Sequence, residues 1–135
     1  MARISQKRQD AGAAKAMITA KWIGKACGIN RRLETTKYGH IYSSRPYKGF
    51  KAGLTWVLVA ANPTRSTYVG PVRIDIDYTI SRRRDIDSLT KVVLDALQAA
   101  RVIRDDNQVV DLRQRKHDKK RGELDEIEVT VMEAD

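Results

Sequence analysis

The chain has a single cysteine, Cys27, and only two histidines, His40 and His117, in 135 residues. One cysteine forms no intramolecular disulfide, and this set is too small for a zinc finger, a zinc ribbon or a cysteine-held iron–sulfur cluster. Cys27 has no paired histidine signature and is expected to be a buried thiol. Long apolar runs are missing too. No window approaches the roughly 18 consecutive apolar residues of a membrane span. The opening residues Met1-Ala-Arg-Ile-Ser-Gln-Lys-Arg8 lack the apolar stretch of a secretory signal, so a cytoplasmic location is expected. Acids are scarce in the first half: residues 1–74 carry fourteen Lys/Arg against Asp10 and Glu34 alone.

The charge that is present points to a partner. Lys and Arg number 26 against 17 Asp and Glu, a formal net charge of +9. A domain this basic suits a polyanion, nucleic acid first. Residues 122–135 reverse the sign, with six acids and no base, so the surface is not uniformly basic. The length suits one domain. We expect a loose basic arm over residues 1–14 and a single domain over 15–135.

Periodicity outlines that domain as α+β, a mixed β-sheet with helices on one side. Ala16, Ile18, Ala20 and Trp22 alternate as a strand, and residues 24–44 form a basic segment with a short strand near Ile41. A helix start at Ser44-Arg-Pro46 leads into Tyr47, Phe50, Leu54, Leu58 and Ala61 at helical spacing, up to Asn62-Pro63. Gly49 and Gly53 each weaken that helix by up to ~1 kcal/mol relative to Ala. Val72, Ile74, Ile76, Tyr78 and Ile80 alternate with polar residues and mark the clearest strand. A helix is expected from Asp85 to about Arg101, with Ile86, Leu89, Val93, Ala96 or Leu97, and Ala100 as its apolar stripe. Strands are expected over Gln108–Arg115 and Leu124–Met132, joined as an antiparallel hairpin through a basic turn over Lys116–Gly122.

The candidate chemistry surrounds the second helix. Asp85 and Asp87 open it, Lys91 follows one turn later, and Asp105-Asp106-Asn107 lies beyond its end. Clustered carboxylates raise one another's pKa, and a hard divalent cation such as Mg²⁺ relieves that repulsion. A metal so held polarises a phosphoryl group and activates water, while Lys91 adds positive charge where the transition state gains negative charge. The same residues also have structural readings. Asp85 suits a helix N-cap, Asp87 a first-turn acid, and Lys91 an i,i+4 partner of Asp87 or Asp95. Asp105–Asn107 suits an ordinary turn. Asp75 and Asp77 share a strand face and read as a solvated surface, Asp111 shares one with Arg113, and His40 and His117 read as surface contacts to phosphate.

The run Arg82-Arg-Arg-Asp-Ile-Asp-Ser-Leu-Thr-Lys-Val-Val-Leu-Asp-Ala-Leu97, followed by Asp105-Asp-Asn-Gln-Val-Val-Asp111, closely resembles the RusA family of Holliday junction resolvases. The resemblance is strong over about the last fifty residues, and residues 16–61 follow it in outline. It implies a homodimeric, Mg²⁺-dependent endonuclease of bacteria and phages, with Mn²⁺ as a substitute metal. Such an enzyme nicks four-way DNA junctions symmetrically and leaves 5′-phosphate and 3′-hydroxyl ends. It also implies metal ligation and catalysis by Asp85, Asp87 and Asp106, catalysis by Lys91, and DNA contact or transition-state stabilisation by Arg84. Arg82, Arg83, Arg31, Arg32 and Lys37 are the further basic residues expected to bind DNA. Where relatives commonly carry Pro-Pro-Ser-Asn, this chain reads Lys25-Ala-Cys-Gly-Ile-Asn30. The rival readings are a nuclease for forks or flaps and a non-enzymatic nucleic-acid-binding module.

Overall fold

The computed structural model describes residues 17–28, 33–35 and 41–134. Its elements are β1 (Ile18–Gly24), β2 (Leu33–Thr35), β3 (Ile41–Ser43), α1 (Arg45–Ala60), β4 (Val72–Ile80), α2 (Ile86–Ala99), β5 (Val109–Asp118) and β6 (Asp125–Glu133), with a 3₁₀ turn at Asp106–Gln108 before β5. The strands form a four-stranded sheet in the order β1-β6-β4-β5, plus a small β2-β3 pair. β6 runs antiparallel to both β1 and β4, whereas β5 runs parallel to β4. This is the expected mixed sheet of an α+β fold.

Alternation along the strands becomes rows across the sheet. Ile18, Val131 and Ile74 stand side by side, then Ala20, Val129 and Ile76, then Trp22, Ile127 and Tyr78. All nine are buried, and α1 and α2 close over this side of the sheet. On β5 the same rows end in Leu112, Gln114 and Lys116, so the core becomes polar at that edge. The opposite face carries Arg73, Asp75, Asp77, Asp111, Arg113, Arg115 and His117, which pair with one another instead of facing water alone. Arg73 Nε lies 3.0 Å from Asp75, Arg113 lies 3.3 Å from Asp111, and Asp77 takes both Arg115 and His117 at 3.0 Å.

The hairpin expected from the last two strands does not form. β4 lies between them and bonds β5 along one edge and β6 along the other. A strand buried along one whole face belongs in the interior of a sheet, while the exposed, cationic β5 suits its edge. β5 also runs on to Asp118, so Lys116–Asp118 are strand and the turn begins at Lys119. That turn crosses the end of β4, where the Lys119 amide donates to Ile80 O at 3.0 Å. Its Gly122 has a φ of +85°, which favours glycine.

Both helices start where their caps allow. Ser44 Oγ accepts from the Tyr47 amide at 3.2 Å, and Pro46 fits the first turn of α1. α1 buries Phe50, Leu54 and Leu58. The Trp22 ring lies 4.8 Å from that of Phe50 and covers Gly53, where a Cβ would come within 2.6 Å of the indole Nε1. Gly49, by contrast, faces open space. The two glycines therefore differ in sign. Gly49→Ala should stabilise the protein by up to about 1 kcal/mol through helix propensity, and Gly53→Ala should destabilise it, both read from urea midpoints.

Candidate active site

β4 ends at Ile80, and the chain turns through Ser81–Arg84, with the Arg84 amide donating to Ser81 O at 2.9 Å. Asp85 is the N-cap of α2, its Oδ1 accepting from the Asp87 amide at 3.1 Å. Asp87 occupies the first turn, where the helix dipole favours an acid. With Leu89, Val92, Val93, Ala96 and Leu97 buried, the opposite stripe carries Asp87, Lys91 and Asp95 toward solvent. Beneath it the buried Thr90 hydroxyl meets the Tyr78 hydroxyl at 2.5 Å and donates to Gln114 Oε1. Burial pushes the Tyr78 phenol far above its ordinary range, which keeps it protonated.

Lys91 joins the two acidic segments. Its Nζ lies 3.4 Å from Asp106 Oδ2 and 3.6 Å from Asp95 Oδ1. The hydrogen bond to Asp106, with the charge of Asp95, raises the pKa of this ammonium, so it acts as a cation and not as a base. Asp106 is brought there by a tightly built turn. Asp105 caps it, accepting from the Asn107 amide at 3.0 Å, and that bond followed by one with Asp106 holds Asp105 below the usual carboxylate range. Gln108 Oε1 accepts from the Arg104 and Asp105 amides, and its Nε2 donates to Tyr68 O and Gly70 O.

The structure thus brings Lys91 to Asp106 and sets Asp85 beside Asp87. Among the described residues, no three His, Cys, Asp or Glu side chains gather closely enough to hold a metal ion. Two exposed carboxylates at a helix start nonetheless match Mg²⁺, which takes one or two carboxylates and keeps several waters. A family model, Endodeoxyribonuclease RusA, matches residues 25–132, about four-fifths of the chain. The chain belongs to the RusA endodeoxyribonuclease family. No curated protein gives a match.

Within this RusA chain the three consecutive arginines have three different environments. Arg82 pairs with Asp118 at 2.5 Å on the exposed surface. Arg83 is exposed and has no ion pair among the described residues. Arg84, expected to contact DNA or the transition state, donates to Ala26 O at 2.9 Å and lies 3.7 Å from Asp125. Asp125 is 3% exposed. It also accepts from Lys119 Nζ and from the Ala26 amide, each at 2.9 Å. Lys116 supports the same turn from the other side, donating to Arg82 O at 2.9 Å and Arg84 O at 2.6 Å. Asp125 was legible in principle, since the alternation of Ile127, Val129 and Val131 continues through it onto the core face. Arg31, Arg32, Lys37 and His40 lie outside the described residues. Cys27 is buried, as expected.

The entering segment Lys25–Gly28 lies against α2 as well. A Cβ on Gly28 would come within 2.3 Å of Ser88 Oγ, so this approach requires glycine. Removing the acid that anchors the segment leaves two cations without their counter-charge. Asp125→Ala should therefore cost about 3 kcal/mol, the low end for a broken buried pair because both cations reach solvent, as measured by denaturant unfolding. Asp77 predicts a pH effect. Hydrogen bonds from Arg115, then His117, hold its carboxyl below its ordinary value. Its contribution is thus complete above the unfolded pKa, about 4, and fades as pH falls through the folded value. Asp77→Asn should flatten that acid limb in stability measurements from pH 6 down to pH 2.

Proposed function

We propose that this chain is a Mg²⁺-dependent nuclease that resolves four-way DNA junctions by paired, symmetric nicking as a homodimer. Family membership carries the nuclease chemistry, and the Lys91–Asp106 contact beside the Asp85–Asp87 helix start supports its placement. A two-fold dimer presents two equivalent sites to the two related strands of a junction. The working location proposed with it is the cytoplasm of a bacterial or phage-infected cell.

Asp85 and Asp87 would hold the metal, with Asp106 completing the acidic set, and Mn²⁺ would substitute. The bound cation supplies charge neutralisation at the scissile phosphate and an activated water. The protein's own contribution is positional. The Asp85 cap orients the first turn of α2, and Asp106 and Asp95 keep the Lys91 ammonium charged and half-exposed at the site. There it can meet the negative charge that develops as the phosphodiester bond breaks. Arg83 is the arginine of its run best placed to contact the backbone, and Arg31, Arg32 and Lys37 are further proposed contacts. Recognition would rest on backbone charge and branch shape.

The test is cleavage of synthetic four-way junctions of varied sequence by purified protein with Mg²⁺, beside a fork, a flap and a linear duplex. Paired nicks in the junction are expected. Asp87→Asn should abolish cleavage while leaving junction binding within a few-fold of the parent, and Lys91→Ala should slow it about 10²- to 10³-fold. Preferential cutting of forks or flaps would replace junctions as the substrate. Salt-sensitive binding with no Mg²⁺-dependent cutting would overturn the nuclease reading in favour of a binding module.

A further inference from the structure

The outer face of α1 has no role in the site above, yet its composition is unusual. Trp56 is 73% exposed on a helix whose opposite face supplies core residues. Lys48, Ala52, Trp56 and Ala60 form one solvent-facing stripe, with Tyr47, Lys51 and Val59 partly exposed beside it. A shallow cleft on this face is lined by Tyr47, Lys48, Lys51, Trp56 and Val59. The helix holds three cations, Arg45, Lys48 and Lys51, and no acid. All three fall in its first two turns, where the helix dipole disfavours positive charge. Among the described residues none of them has an ion pair. Neither the fold nor the helix thus rewards this placement, whereas a polyanion would.

We propose that this face is a second DNA-contact surface, on which Trp56 stacks against a base exposed at a branch point while Lys48 and Lys51 contact the flanking phosphates. An exposed indole beside unpaired cations is the combination that binds unstacked nucleotides, because every base offers a ring face and every phosphate a charge. A second copy of the chain fits the face poorly. In either direction of packing, a second copy of this stripe would bring Lys48 and Lys51 against a helix that offers no acid. α1 packs directly against α2, so the Trp56 stripe and the Asp87–Lys91–Asp95 stripe belong to one helical layer. DNA held on α1 would lie on the layer that carries the candidate active site.

This inference rests on the reading of the chain as a DNA-acting protein, but its test does not depend on cutting. The chain has two tryptophans, and the other, Trp22, is buried. Titrating a four-way junction without metal should quench the fluorescence of the full-length protein. Trp56→Phe should remove most of that quenching while keeping most of the binding. Trp56→Ala should weaken junction binding about tenfold, with a much smaller effect on linear duplex. The double variant Lys48→Gln/Lys51→Gln should lower the slope of log affinity against log salt by about 2. Unchanged quenching in Trp56→Phe, or parental affinity and salt slope in the other variants, overturns the proposal. So does loss of self-association in Trp56→Ala, read by sedimentation, which would make the face a contact between copies. Quenching by a junction that the protein never cuts would leave this surface standing and remove the nuclease reading. Cutting by an enzyme indifferent to Trp56, Lys48 and Lys51 would do the reverse.

Discussion

A carboxylate taken out of water must recover its solvation from the protein, and Asp125 does so by drawing together pieces of chain far apart in sequence. It stands on the core side of the sheet, one alternation beyond Ile127, where an apolar residue would be expected. Its oxygens meet the Ala26 amide, Lys119 and Arg84. Each partner anchors a different segment: the strand-exit Lys25–Gly28, the crossing after β5, and the turn that delivers Asp85 to α2. Lys116 seizes the carbonyls of the same turn from the edge strand. α2 therefore begins from a point held on both sides.

Charge is sorted between the two faces of the sheet. On the face away from the helices, acids and bases pair across and along strands, and little net field remains there. On the helical side, α1 holds only cations, while α2 shows acids around Lys91. α1 carries a net +3 and α2 a net −1, so the helical side sets a cationic helix beside an acidic one.

Strands and helices defined by their own periodicity were legible. β4, β6, α1 and α2 bury the residues their spacing marks, and the caps at Ser44 and Asp85 lie where their residue types place them. What failed was whatever depends on a third party. β5 and β6 read as a hairpin because a short glycine-containing turn joins them, and sequence proximity does not show that β4 fits between. Arg82, Arg83 and Arg84 read as one basic run, but each environment is decided by Asp118, solvent or Asp125, all remote in sequence. Gly53 read as a weakness of α1, when the indole of Trp22 needs the space. In the candidate site Lys91 was a recognisable partner of Asp95, but its reach to Asp106 required the parallel return of β5 to place the 3₁₀ turn beside α2.

That parallel return has a wider consequence. Asp85, Asp87, Lys91 and Asp106 all lie within one uninterrupted strand–helix–strand unit, β4 through β5, braced from outside by Asp125 and the Lys25–Gly28 segment. A unit of this kind can keep its chemistry while what flanks it is exchanged. The outer face of α1, which makes none of these contacts, is then free to be rewritten with Asp85, Asp87, Lys91 and Asp106 left in place.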